Sequence, residues 1–187
     1  MGAHNTLLFT DTHPETASDI WVRKPDGKLE PWLITPHQEI MPAFSPDERL
    51  IAYAADYSQR FEIYVGFLSD PSKRSTMSTE GGICPVWSPQ GDRLFFRQGT
   101  KIMTVKVRPD GSPGGKPEQL FDGGWTLGTS GGLPIATTNL SINGFAAMPP
   151  DGEHFLMVNT NLEAVPIRLH VIFNFFEELK RLVPAGK

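Results

Sequence analysis

Two short runs of this 187-residue chain carry side chains able to do chemistry: Asp11-Thr12-His13-Pro14-Glu15 and His37-Gln38-Glu39. Together they offer two imidazoles and three carboxylates. Asp11, His13, His37 and Glu39 form a set that could ligate a divalent metal and activate water, because imidazole nitrogen and carboxylate oxygen are common ligands of hydrolytic metal ions. The substrate class would be an ester or phosphoester. His13, His37 and Asp11 are the candidates for catalytic duty, and Glu15 and Glu39 for ligand contact. The spacing matches no metal-binding motif, so the competing reading is a group of solvated loop residues, one histidine at most capping a strand.

Other nucleophiles are placed for structure. Ser45 and Ser88 each sit in a Ser-Pro turn, where the hydroxyl serves nearby backbone amides. No Gly-x-Ser-x-Gly elbow occurs. The single cysteine, Cys84, falls in an apolar strand between Ile83 and Pro85 and reads as a small buried hydrophobe. The run Gly123 to Leu133 is glycine-rich but lacks the Gly-Lys-Ser/Thr ending of a phosphate loop. Its one large anchor, Trp125, is a candidate for ligand binding. His154 and His170 lie in expected strands and are read as packed or singly exposed.

The elements that hold these residues are short strands and turns. Hydrophobic residues make up 39% of the chain, enough for a core, and 18 Gly with 17 Pro exceed the usual share and favour turns over long helices. The net charge of −4 leaves no footprint for nucleic acid or an anionic membrane. The amino terminus has no basic and apolar leader, and no apolar run approaches the roughly 20 residues of a spanning helix. As written, the chain is expected to be cytoplasmic.

A repeat organises the rest. Pro42-Ala43-Phe44-Ser45-Pro46-Asp47-Glu48-Arg49-Leu50-Ile51-Ala52-Tyr53 recurs as Pro85-Val86-Trp87-Ser88-Pro89-Gln90-Gly91-Asp92-Arg93-Leu94-Phe95-Phe96, with a worn copy from Phe145 to Leu156. Each copy is a unit that cannot bury its apolar face alone, so the copies must stack. Ser45 and Ser88 are 43 residues apart, the length of a four-stranded blade. Blade units are expected over about residues 5–36, 37–79, 80–122 and 143–173, in one domain spanning 1–187. The first unit opens without its innermost strand. A loop is inserted at 122–142, and Asn174 caps a short helix over 174–183 whose apolar stripe is Phe175, Phe176, Leu179 and Leu182. Phe44, Trp87 and Phe145 recur at one strand position and are expected in the core.

The Ser-Pro-Asp-Glu-Arg-Leu-Ile-Ala-Tyr and Ser-Pro-Gln-Gly-Asp-Arg-Leu-Phe-Phe motifs, with Ile63-Tyr64-Val65 downstream, resemble the TolB-like β-propeller repeat. That resemblance implies an all-β fold of antiparallel four-stranded blades around an axis. The segment 174–184 is similar to the tail of bacterial propellers fused behind serine/threonine kinases. No Gly-rich phosphate loop, His-Arg-Asp or Asp-Phe-Gly is present, which excludes kinase activity for this chain.

About 3.5 blades fall short of the roughly 4 to 8 that close a ring. Open strand edges template pairing with another chain. The expectation is therefore a homodimer completing one ring of roughly seven or eight blades. In an up-and-down blade the candidate loops share one face, and the Ser-Pro turns lie on the other. The function expected first is a module binding a protein, peptide or small molecule at the loop face; the alternative is a small metal-assisted hydrolase. No cofactor motif is present, and a divalent metal is the one cofactor the loop set could hold.

Overall fold

The computed structural model describes residues 6–122, 145–147 and 156–157. Strands β1 (Leu7–His13), β2 (Ala17–Arg23) and β3 (Leu29–Leu33) form the first antiparallel sheet. The second contains β4 (Glu39–Phe44), β5 (Leu50–Ala55), β6 (Glu62–Phe67) and β7 (Asp70–Thr76), and the third β8 (Ile83–Trp87), β9 (Arg93–Gln98), β10 (Lys101–Lys106) and β11 (Glu118–Asp122). A start on a fourth unit is the pair β12 (Phe145–Ala147) and β13 (Leu156–Met157). Within each sheet, sequence neighbours are spatial neighbours, as the repeat predicts. The described residues contain no helix that is long and apolar enough to cross a membrane. The expected helix over 174–183, and the inserted loop with Trp125 beyond Asp122, lie outside the described residues.

Both Ser-Pro turns are closed by the serine itself. Ser45 Oγ accepts the Leu50 amide at 3.0 Å and donates to Asp47 at 2.6 Å; Ser88 Oγ accepts the Arg93 amide at 3.1 Å and donates to Asp92 at 2.9 Å. These bonds fix the structural equivalence of the units. Leu50 matches Arg93, and Ile51 matches Leu94, one residue away from the alignment of the two Arg-Leu pairs in sequence. The turn also needs a left-handed residue, Glu48 (φ 55°) in one copy and Gly91 (φ 75°) in the other.

The innermost strands share a second device. The ladder slips between Ile40 and Ala43 in β4 and between Ile83 and Val86 in β8. At that bulge Met41 (φ 56°) and Cys84 (φ 58°) both adopt the left-handed region, and the Cys84 thiol donates to Met41 Sδ at 3.6 Å. Cys84 is buried, and desolvation pushes its thiol up to about 11. It is inert packing, as expected.

Alternation along β5 explains how the sheets stack. Ile51, Tyr53 and Ala55 pack with Ile20, Val22, Trp32 and Leu33 of the first sheet, whereas Leu50, Ala52 and Ala54 pack toward Leu94 and Phe96 of the third. Because both faces are covered, the whole of β5 is buried and reads as a continuous apolar run. Two indoles tie neighbouring units: Trp32 Nε1 donates to Leu68 O at 3.1 Å and Trp87 Nε1 to Ala43 O at 3.1 Å. Phe44, at the station of Trp87, is only partly buried against the first of these cores.

The outermost strand β7, Asp-Pro-Ser-Lys-Arg-Ser-Thr, has no apolar period to announce it. An outer edge needs no buried face, and charge and Pro there discourage pairing with other chains.

Candidate functional site

The loop face between the first two sheets carries most of the candidate residues, on unequal footings. The run from Asp11 to Glu15, read from the sequence as loop, lies partly in a strand, because β1 runs through His13 and finds ladder partners in β2. Asp11 pairs with Asp19 and His13 with Ala17. Only Pro14 to Thr16 remain as the turn, and Ala17 leaves it with φ 68°. Asp11, His13 and Glu15 are exposed. Asp11 Oδ1 accepts the Thr12 amide at 3.0 Å, and His13 Nδ1 accepts the Glu15 amide at 3.3 Å. Asp11 bonds within its own strand, and His13 bonds the turn that follows it.

Glu39 departs further from expectation. It is the first residue of β4 instead of a loop ligand, and its side chain is fully buried. The Thr35 hydroxyl donates to Oε1, while Oε2 has no partner. Burial raises its carboxyl above the usual range; the Thr35 bond opposes this, and the nearby Asp19 charge adds to it. Asp19 is itself buried, accepting the Thr16 hydroxyl at 2.5 Å and leaving Oδ1 unpaired.

Asp19 was missed by the sequence reading, though a signal existed. It precedes Ile20-Trp21-Val22 as Glu62 precedes Ile63-Tyr64-Val65. Glu62 is also buried, and it is fully satisfied: Arg60 Nε donates at 2.6 Å, the Gly81 amide at 3.0 Å, and the Ser78 hydroxyl to the other oxygen. A carboxylate at this station is a structural clamp between strands and loops.

His37 alone of the set stands on the surface over a built support. Its Nδ1 lies 3.5 Å from Asp56 Oδ1, which also accepts the Gln38 amide at 3.0 Å. The imidazole meets Tyr57 edge-on with centroids 5.2 Å apart, and the Arg74 guanidinium lies over the Tyr57 ring, 4.7 Å from its centroid. Tyr57 contacts Tyr64 (4.9 Å), Tyr64 stacks on Tyr53 (5.8 Å), and Tyr53 meets Trp32 (5.5 Å). Four aromatic rings thus connect His37 to the core. Desolvation lifts the Tyr53 phenol to about 12 and raises that of Tyr57 as well.

Among the described residues, no three His, Cys, Asp or Glu side chains are placed to hold a metal ion. The loop set therefore divides into a His13–Glu15 turn, an inward Glu39, and an exposed His37 patch. On the opposite face a groove of about 300 Å³ lies between the two Ser-Pro turns and Arg108. It is bridged by Arg49, which pairs with Asp47 at 2.7 Å and donates to Pro109 O at 3.3 Å. Ser45 and Ser88, read from the sequence as turn residues, are buried in those turns.

No protein-family model matches the sequence, and a search of curated proteins returns no match. Solved structures do. A putative TolB from Agrobacterium tumefaciens is 20% identical with a TM-score of 0.51, over 63% of this chain and 45% of that one. TolB from Acinetobacter baumannii gives 20% identity and a TM-score of 0.51, over 62% of this chain and 30% of that one. The chain spans less than half the length of either. At this identity the likeness establishes the fold: an all-β, partial β-propeller whose sheets are blades.

Proposed function

We propose that this chain is a propeller-type binding module that holds a protein or peptide on its loop face, and that a second copy completes the ring. The observation that carries the reading is the His37, Tyr57 and Arg74 patch, with exposed His37 and Arg74 flanking a tyrosine seated on rings rooted in the core. Tyr and Arg on a rigid base are the residue types that dominate binding energy at interfaces. The TolB likeness supports a scaffold and names no ligand. The hydrolytic alternative built on His13 and His37 has no observation behind it.

A second copy is supported by the free side of the first sheet. Among the described strands β1 pairs with β2 alone. The face turned from the core bears a cross-strand row of Phe9, Trp21 and Pro31, and Leu29 beside it is 54% exposed. That row matches, in an apolar blade stack, a surface that a further blade would cover.

Peptides selected from a random display library on the purified protein test the binding site. The selected peptides should lose at least about tenfold affinity to Arg74→Ala with His37→Ala, as for a hot spot, and be indifferent to Arg49→Ala on the opposite face. Affinity surviving the double change refutes the loop-face assignment. Light scattering after size exclusion tests the ring: a stable monomer at low concentration refutes the dimer.

A further inference from the structure

The far face of the third sheet breaks the pattern set by the second. On the second sheet Leu50, Ala52, Ala54 and Val65 face the next unit, and Leu50 stands opposite Phe67. The Ser-Pro turn bonds and the β9–β10 register put Arg93, Phe95, Arg97 and Thr104 at those stations, with Arg93 opposite Lys106. An apolar cross-strand pair has become two cations. Like charges directly opposite each other across an antiparallel pair are destabilising. Neither side chain has a hydrogen-bonding or acidic partner among the described residues, and nor does Lys116 nearby.

These three cations surround a cavity of about 110 Å³, whose wall includes Thr104, Gly115 and Glu118. Thr104 is 2% exposed, and its hydroxyl has no partner. Such a group costs free energy unless something accepts its proton. The turn holding Lys116 is drawn onto β10 at Gly114, whose amide donates to Lys106 O at 2.7 Å and where an added Cβ would lie 2.8 Å from Lys106 Cβ. Only glycine permits that approach. A Cβ at Gly115 would meet nothing within 4 Å, so its backbone is open to a ligand.

We propose that this cavity binds a small, multiply charged oxyanion of the phosphate type. Its volume is that of a few waters, each taking roughly 30 Å³, and is well below the roughly 300 Å³ at which pockets for drug-sized ligands begin. A tetrahedral oxyanion fits, separates Arg93 from Lys106, and accepts from the Thr104 hydroxyl. Glu118 is the one acid in the wall. It opposes the anion and limits affinity.

Calorimetric titration of the full chain with sodium phosphate, against sodium chloride at matched ionic strength, tests the site. Saturable binding of phosphate but not chloride is expected. Lys106→Gln should weaken it at least about tenfold, in line with a charge-assisted hydrogen bond, and Glu118→Gln should tighten it. Thr104→Val places the residue found at this station in the second sheet, so it preserves folding; it should weaken phosphate binding while raising the melting temperature of the phosphate-free protein. Phosphoserine in a parallel titration separates a free ion from a phosphoryl group on a larger molecule, the weaker of the two being excluded as the source. Absence of saturable phosphate binding, or affinity unchanged in both Lys106→Gln and Thr104→Val, overturns the proposal.

Discussion

Glu39, which opens β4, and Gly82, which immediately precedes β8, hold the same station, four residues after the matched hydroxyls of Thr35 and Ser78. In the third sheet the station is closed: a Cβ at Gly82 would lie 2.7 Å from Ile63 Cγ1 and 3.1 Å from Phe96. In the second it is open enough for a buried glutamate that takes the Thr35 hydroxyl. The difference follows from the carboxylate one strand away. Glu62 reaches Ser78 and satisfies it, whereas the shorter Asp19 bonds Thr16 and leaves Thr35 to Glu39.

Glu39 therefore sets a pH dependence. Its folded pKa lies above its unfolded value, chiefly through burial. Protonated, it buries no charge; as pH rises from the unfolded value through the folded one, ionisation in the core removes stability. The groups facing it are Asp19, Thr35, Tyr57 and His37. Glu39→Gln keeps an acceptor for Thr35 and removes the charge, so it should raise stability at neutral pH by about 1 kcal/mol and flatten the profile above pH 5. Urea unfolding across pH 4 to 8 reads both effects.

Gly82→Ala should be costly for the opposite reason. The added methyl overlaps two buried side chains, and overpacking of this kind costs about 1 to 3 kcal/mol. A midpoint in urea no lower than that of the parent chain would refute this contact geometry.

Ala17 leaves the β1–β2 turn in the left-handed region, where the matched turn of the third sheet has Gly99 (φ 59°). An alanine there pays about 1 kcal/mol that glycine does not. Ala17→Gly should raise the thermal midpoint by a few degrees, and a fall would show that the hairpin tolerates alanine without strain.

Cys84 should be silent toward thiol reagents. It is buried and its thiol titrates near 11, so the thiolate fraction at pH 8 is small and access is poor. Labelling by an aromatic disulfide should be slow in buffer and fast in denaturant. Equal rates in both would contradict the packed Met41 contact.

The repeat made the fold legible because turn chemistry and strand order are local. Ser-Pro turns, alternating strands and the Ile-Tyr-Val run each announce themselves within a dozen residues. The site was less legible, since polarity does not reveal direction. Glu39 looks like a loop residue and points inward, and Asp11 looks like a loop residue and belongs to a ladder. The cationic face of the third sheet was hidden by an apparent match of Arg49-Leu50 with Arg93-Leu94. The hydrogen bonds of Ser45 and Ser88, with the Phe44–Ile51 and Trp87–Leu94 ladder pairs, show that Leu50 and Arg93 are equivalent.

The ring contacts from Trp32 to His37 bear on the cost of recognition. A side chain free in solution loses about 0.5 to 1.5 kcal/mol of rotamer freedom when a ligand immobilises it. Tyr57 is wedged between His37, Arg74 and Tyr64 before any ligand arrives. Folding has already met that entropic cost, so contacts made there lose none of their energy to ordering the tyrosine.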